Sequence, residues 1–592
     1  MTQADSPQSS RPQSAPAPPA KKGFPFAGVV VVIAMVLAFI VSRMSPVGTW
    51  SQVYDPTGQW WLSTLIAAIP IAVLLGTLAL LHLKAHYAAL LGLASAVIVA
   101  IGVFHMPVKM AGTTVVFGAA FGLFPIGWII LNVIFMYQLT NETGRFKVLQ
   151  QSMMGITQDR RLQLLLIAFC FGAFFEGASG FGTPVAVTAA ILIGLGFEPL
   201  QASGLSLIAN TAPVAFGALG TPLIALQGVT GLNLRVLTAM TGTILAPFCF
   251  MVPFWLIWAF AGFGGMLEIW PAILVAGATF AIAQTVMAIF HGPWLVGVVA
   301  SLCSMAALIG FLKIWQPKRV WSLEHEDQNR DTSKGSGYSR KEVISAWVPW
   351  IILSVFVFIW GSPTTQVALN KISIFRFPVT ALHNLIQRMP PVVLKPTPEP
   401  AVFTLNWITA TGSGILIAGI ISGFVMGCGP LTIAKIYWKT IVRVRYSLLT
   451  ISAMMAIGFI TRYGGLDATM GLAFARSGHL YPFFGTMLGW LGVALTGSDT
   501  ASNVLFGSLQ KISAQQIGVS PVLMSAANSG GGVMGKMIDA QSIVVASTAT
   551  EWYGHEGDIL RYVFFHSIAL AALVGVFVFL MAYVAPFTSL VR

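Results

Sequence analysis

Apolar residues run along this chain in stretches of about 20, the length an α-helix needs to cross a bilayer. Uninterrupted runs occupy residues 26–44, 60–81, 87–104, 113–138, 236–262, 267–290, 293–312, 343–360, 408–427, 479–495 and 562–587. Four more, at 162–197, 200–227, 447–475 and 498–550, are broken by polar residues, glycine and proline. The pattern predicts an all-α polytopic integral membrane protein with roughly 12 to 14 crossings. Residues 1–22, rich in Ser, Pro, Gln and Ala, read as a disordered tail. Residues 23–315 and 343–592 read as two transmembrane halves, joined by a charged cytoplasmic linker at 316–342. The run from Phe24 to Val41 follows Lys21 and Lys22 as in a signal peptide. No small-residue cleavage site comes after it, so it is expected to stay as a helix.

The interruptions come in pairs. The first half, with broken segments in 162–227, carries Glu176–Pro184, "EGASGFGTP", and Asn210–Pro222, "NTAPVAFGALGTP". The second, with broken segments in 447–550, carries Thr496–Asn503, "TGSDTASN", and Asn528–Lys536, "NSGGGVMGK". Ser179 to Asn210 is 31 residues and Ser498 to Asn528 is 30, a spacing that suggests an internal duplication. Glycine and proline weaken the helical hydrogen-bond ladder. In hydrocarbon the freed amides and carbonyls are tolerated only under protein or beside a watery cavity. Paired breaks in two halves therefore point to a transporter's midplane site, and half-helix N-termini suit an anion. The bland alternative is that small residues let helices approach closely.

Composition agrees with the membrane reading: 56% of residues are hydrophobic and 9% charged, against about a quarter charged in soluble domains. The net charge of +13 does not point to nucleic acid, because the basic residues cluster between apolar runs. The clusters are Arg11 with Lys21 and Lys22, Arg145 to Arg161, Lys313 to Lys341, and Lys435 to Arg445. Counted from a cytoplasmic N-terminus, all four fall on one side. The 361–407 segment, with Lys371, Arg376, Arg388 and Lys395, falls outside, as a long loop can. The four cysteines sit in apolar segments, so no disulfide framework is indicated. No metal-ligand spacing, nucleotide-binding glycine loop or nucleophile elbow occurs, so no metal, cofactor or enzymatic role is expected.

The broken segments carry long, ordered motifs: "EGASGFGTPVAV" (Glu176–Val187), "NTAPVAFGALGTP" (Asn210–Pro222), "GWLGVALTGSDTASNVLFGSLQ" (Gly489–Gln510), and "NSGGGVMGKMI" with "QSIVVA" (Asn528–Ala546). From about residue 50 to the C-terminus the chain resembles the L-lactate permease family of bacterial inner-membrane carriers. The resemblance implies uptake of lactate, and often glycolate, in symport with protons, the substrate carboxylate being held at the tips of paired helical hairpins. Two departures lie near these motifs. Where the family has Asn-Tyr-Ser-Gly the chain reads Arg462-Tyr-Gly-Gly465, and where it has MISPQSI the chain reads Met537-Ile-Asp-Ala-Gln-Ser-Ile543.

A charged group at bilayer depth is a functional candidate by default. Glu176 lies among Phe171, Phe174, Phe175 and Phe181, where desolvation favours the neutral carboxyl. It is a candidate proton carrier; the alternative is a protonated clamp on a hairpin turn. Asp499 is its counterpart, flanked by Ser498 and Thr500 with Asn503 one turn on, and reads as a second coupling carboxyl or a partner for Lys536. Lys536 can equally meet the substrate carboxylate. Ser179, Gly180, Thr183, Asn210, Thr211, Ser502, Asn503, Asn528 and Ser529 supply donors for a small monocarboxylate and its hydroxyl. Arg462 offers a carboxylate fork, but a helix-end arginine snorkelling to the interface is the favoured reading. Asp467, Asp539 and Glu551 are expected at the interface, and His82, His86, His291 and His325 at solvated segment ends. A sodium-coupled carboxylate carrier and a passive channel remain the alternatives to proton symport.

Overall fold

The computed structural model describes residues 48–321 and 338–591, apart from Leu80, His82, Gly155, Phe181 and Gly554. The tail at 1–22, the first apolar run, most of the linker, His82 and His325 therefore lie outside the described residues. Among the described residues nine helices are long and apolar enough to cross a membrane, or ten if one bent pair forms a single span. The count from apolar runs is higher partly because it includes 26–44. It also includes 293–312 and 408–427, whose helices, Val296–Leu312 and Thr411–Val425, are only 17 and 15 residues long.

The broken segments form two sets of four helices. In the first, α1 (Gly172–Ala178) continues a span that begins at Arg160. It is followed by α2 (Thr183–Gly194), α3 (Pro199–Ala209) and α4 (Gly217–Thr230). The 35-residue α5 (Pro430–Gly464) precedes the second set. That set is α6 (Tyr481–Thr496), α7 (Asp499–Gln516), α8 (Pro521–Gly535) and α9 (Ala540–Ala549), with α10 (Glu556–Tyr583) closing the chain. The sets interlock: α4 packs against α7, and α9 against both α2 and α3.

Local sequence explains three of the breaks. Gly180 and Gly182 take φ of +61° and +76°, and Pro184 opens α2. After α3, the Asn210–Pro222 stretch bends the chain by 63° into α4. Gly497, at φ +72°, ends α6 before Ser498 caps α7. The fourth break lies elsewhere than the sequence suggests. Asn528 to Gly535 is uninterrupted helix in α8, and the chain turns at Lys536–Asp539 instead. The glycines of α8 serve contact. A Cβ at Gly531 would sit 2.1 Å from the Thr486 carbonyl of α6, and one at Gly489 would sit 2.1 Å from the Asn528 carbonyl. Close helix approach thus accounts for this motif, and the matched 30- and 31-residue spacing does not mark matched breaks.

The 361–407 segment folds. β2 (Ile374–Pro378) pairs antiparallel with β5 (Val402–Asn406). β3 (Ile386–Arg388) lies between β1 (Trp50–Ser51), to which it is parallel, and β4 (Thr397–Pro398), to which it is antiparallel.

Candidate functional site

Three of the four breaks and the start of α4 enclose a cavity of about 320 Å³. Its lining comes from Glu176, Gly180 and Gly182 at the α1–α2 break, from Gly217, Ala218, Thr221 and Pro222 on α4, from Thr496 to Ala501 at the α6–α7 break, and from Lys536 and Gln541 around the α8–α9 break. α5 closes one side with Ser447, Thr450, Ile451, Met454 and Met455. No side chain caps α2, and Ala218 in the wall and Leu219 next to it are held at φ +44° and +55°. Left-handed non-glycine residues cost on the order of 1–3 kcal/mol each and gather at functional sites.

Among the described residues, three ionisable side chains reach the cavity. Glu176 is buried, and its Oε2 has no hydrogen-bond partner. Its Oε1 lies so close to α4 that a Cβ at Gly217 would be 2.5 Å away, so any larger residue there would displace the carboxyl. Asp499, also buried, accepts through Oδ2 a short hydrogen bond from the Ser529 hydroxyl and a 3.4 Å one from Asn503 Nδ2. Lys536 Nζ donates to the Gly497 carbonyl at 2.6 Å and pairs with Asp539 Oδ2 at 3.2 Å. Lys536 is therefore joined to Asp539 and not, as the sequence suggests, to Asp499. The short Lys536-Met-Ile-Asp539 turn brings these two ends together. Asp539 itself is fully buried and caps α9 through Ser542 N at 2.8 Å, which overturns the expectation of an interfacial residue.

Behind the cavity wall runs a buried hydrogen-bonded chain. Asn503 Nδ2 also donates to the Pro222 carbonyl at 3.2 Å and to the Ser529 hydroxyl at 3.3 Å. Asn528 Nδ2 donates to Asn503 Oδ1 at 3.0 Å and to Ser502 Oγ at 3.3 Å. Gln510 donates to Asn528 at 3.1 Å and accepts from the Tyr481 hydroxyl at 2.8 Å. Ser502, Asn503, Asn528 and Ser529 thus tie α4, α6, α7 and α8 together and support Asp499 from behind.

The remaining predicted residues spread around this core. Ser179 and Thr211 return their hydroxyls to the Phe175 and Ile208 carbonyls, at 2.9 Å each. Asn210 is buried with neither side-chain atom hydrogen-bonded, although it lies within electrostatic reach of Glu176. Thr183 is half-buried at the start of α2. Arg462 does not snorkel: it ends α5 in an ion pair with Glu399 at 2.6 Å. Asp467 is buried rather than interfacial, whereas Glu551 is exposed. His291 is buried and reaches the Phe358 carbonyl at 3.1 Å, contrary to the solvated position expected. Thr221, Ser447 and Thr450 line the cavity without having stood out in sequence, since isolated hydroxyls on apolar helices look alike wherever they face. Among the described residues, no group of three or more His, Cys, Asp or Glu side chains could hold a metal ion.

Comparison with known proteins shows the family of the chain. The L-lactate permease family matches residues 63–585. The Escherichia coli K12 glycolate permease GlcA is 44% identical over 551 residues, covering 90% of this chain and 98% of that one. The L-lactate permease of the same strain is 44% identical over 542 residues, with the same coverage. That of Bacillus subtilis is 40% identical over 555 residues, covering 90% and 99%. The chain belongs to the L-lactate permease family and is a multi-pass membrane protein.

Proposed function

We propose, from this family membership, that the protein imports L-lactate across the bacterial inner membrane in symport with a proton, and that D-lactate and glycolate are further substrates. The observation that carries the reading is the shared cavity of Glu176, Asp499 and Lys536 at the helix breaks. In it Lys536 and the uncapped N-terminus of α2 receive the substrate carboxylate, as cations and helix N-termini favour anions. Hydroxyls such as Thr221 and Ser498 receive the 2-hydroxyl. Glu176, a buried carboxyl in the cavity wall whose Oε2 has no hydrogen-bond partner among the described residues, takes up the coupled proton. Asp499, already receiving two hydrogen bonds, is the second coupling carboxyl.

The cavity volume of about 320 Å³ falls in the range of small-molecule sites and exceeds the needs of a three-carbon acid, leaving room for water beside it. Alternating access then moves the helices bearing the breaks against α5 and its neighbours around a fixed site. Uptake of labelled L-lactate into proteoliposomes, with D-lactate, glycolate and acetate as competitors, tests the substrate class. Competition by the two hydroxy acids and none by acetate is expected. Equal competition by acetate contradicts a role for the hydroxyl.

A further inference from the structure

Two helices carry the cavity wall from polar to apolar in the same direction. On α5 the lining residues Ser447, Thr450, Ile451, Met454 and Met455 recur at three- and four-residue steps, so they share one face. The hydroxyls come first and the methionines a turn further on. On α7 Asp499 and Thr500 come first and Val504 follows one turn later. The helices run side by side with the same sense, because Lys511, further along α7, is within electrostatic reach of Arg462, further along α5. Their apolar turns meet: a Cβ at Gly458 of α5 would lie 2.6 Å from Val504 Cγ1. Leu74, of the helix Trp60–Ala79, also lines the cavity and lies at this level. A Cβ at Gly92 would be 3.1 Å from Leu74 Cβ and 3.2 Å from Ile457 Cδ1.

A 2-hydroxy acid carries three groups on one carbon: a carboxylate, a hydroxyl and a substituent. The substituent is a hydrogen in glycolate and a methyl in lactate. With the carboxylate and hydroxyl at the broken helix ends, the substituent is left to the apolar turns, where its burial is favourable. Methionine suits a group of variable length, since its unbranched side chain fills irregular space and repacks readily. Space is available as well. At about 30 Å³ for each non-hydrogen atom, the share of a water in the liquid, lactate takes roughly 180 Å³. The cavity holds about 320 Å³, which leaves room for several more carbons.

We propose that Met454, Met455 and Val504 form a subsite for the substituent at C2, so that longer 2-hydroxy monocarboxylates, such as 2-hydroxybutanoate and 2-hydroxypentanoate, are also substrates. The proposal rests on reading the cavity as a 2-hydroxycarboxylate site. The readout is displacement of labelled L-lactate from the purified full-length protein in detergent by glycolate and the L-forms of the longer acids. In wild type each added methylene is expected to tighten competition about two- to fourfold. Met454→Trp fills the subsite and should weaken 2-hydroxypentanoate at least about tenfold relative to glycolate. Met454→Ala enlarges it and should improve 2-hydroxyhexanoate at least about threefold relative to lactate; this variant decides the matter where the tryptophan prevents folding. An unchanged ranking of the acids in folded Met454 variants overturns the assignment to this wall. Failure of 2-hydroxybutanoate and 2-hydroxypentanoate to displace lactate from wild type overturns the subsite while leaving the site standing. A wild-type protein that binds no lactate overturns the site and this proposal together.

Discussion

Glu399 Oε1 accepts hydrogen bonds from both Nε and Nη2 of Arg462, at 2.9 and 2.6 Å, tying the folded 361–407 segment to the end of α5. Arg462 Nη1 meanwhile reaches the Gly228 carbonyl on α4 at 2.9 Å, and Arg388 Nε meets the other Glu399 oxygen at 2.7 Å. One carboxylate thus holds together the extramembrane segment and two of the helices that line the cavity. Glu399→Gln is expected to cost on the order of 3 kcal/mol, because it strands two arginines. A drop in thermal midpoint in detergent, with α-helical content retained below the transition, checks it.

The same carboxylate sets an acid limit on stability. Burial raises the affinity of Glu399 for a proton, but Arg462 and Arg388 outweigh it and hold the carboxyl below its ordinary value of 4.5. A depressed folded-state value contributes stability above the unfolded value and loses it as pH falls through the folded one. Wild-type stability should therefore decline on acidification through the lower carboxylate range. The gap between wild type and Glu399→Gln should narrow there, as paired melting curves would show.

The α6–α8 contact predicts a sharp contrast between neighbouring glycines. Gly531→Ala places a methyl 2.1 Å from a backbone carbonyl, whereas Gly530→Ala meets side chains alone, Ile244 at 3.0 Å and Val574 at 3.7 Å. Overpacking costs about 1–3 kcal/mol even where side chains yield, and backbone yields less. Gly531→Ala is expected to abolish monodisperse protein on size exclusion, and Gly530→Ala to preserve it.

These residues also show what was legible beforehand. Gly180, Gly182, Pro184 and Gly497 announce breaks because left-handed glycines and a helix-starting proline have few other uses in a membrane helix. The Gly530–Gly532 run looks the same in sequence, yet it marks close packing, since the partner that decides between the two lies on another helix. The turn at Lys536–Asp539 has neither glycine nor proline inside it, and nothing local distinguishes its capping aspartate from an interfacial charge. Glu399 and Arg462 are 63 residues apart, beyond any local pattern, so the arginine looked like a helix end.

Lys536 carries the anion-binding half of the account. Lys536→Gln removes the cavity's ammonium and leaves Asp539 unpaired. Loss of a buried charge contact costs about 2–5 kcal/mol, so KM for L-lactate should rise at least about tenfold. Kinetics of uptake in proteoliposomes check it; an unchanged KM would remove Lys536 from the substrate.

Asn503 joins the two sets of helices through Pro222, Asp499 and Ser529. Asn503→Ala leaves buried polar groups without partners, at about 1–3 kcal/mol each. Its expected signature is reduced stability together with slower uptake, whereas Thr211→Val, which removes only a local bond to Ile208, should have the smaller effect on both.

The most direct test of the central claim is accumulation of labelled L-lactate in sodium-free proteoliposomes under an imposed inward proton gradient, comparing wild type with Glu176→Gln. Proton symport through Glu176 predicts accumulation above equilibrium by wild type and none by Glu176→Gln, with lactate binding retained in the variant. Wild-type-like accumulation by Glu176→Gln, or wild-type accumulation that requires a sodium gradient, contradicts it.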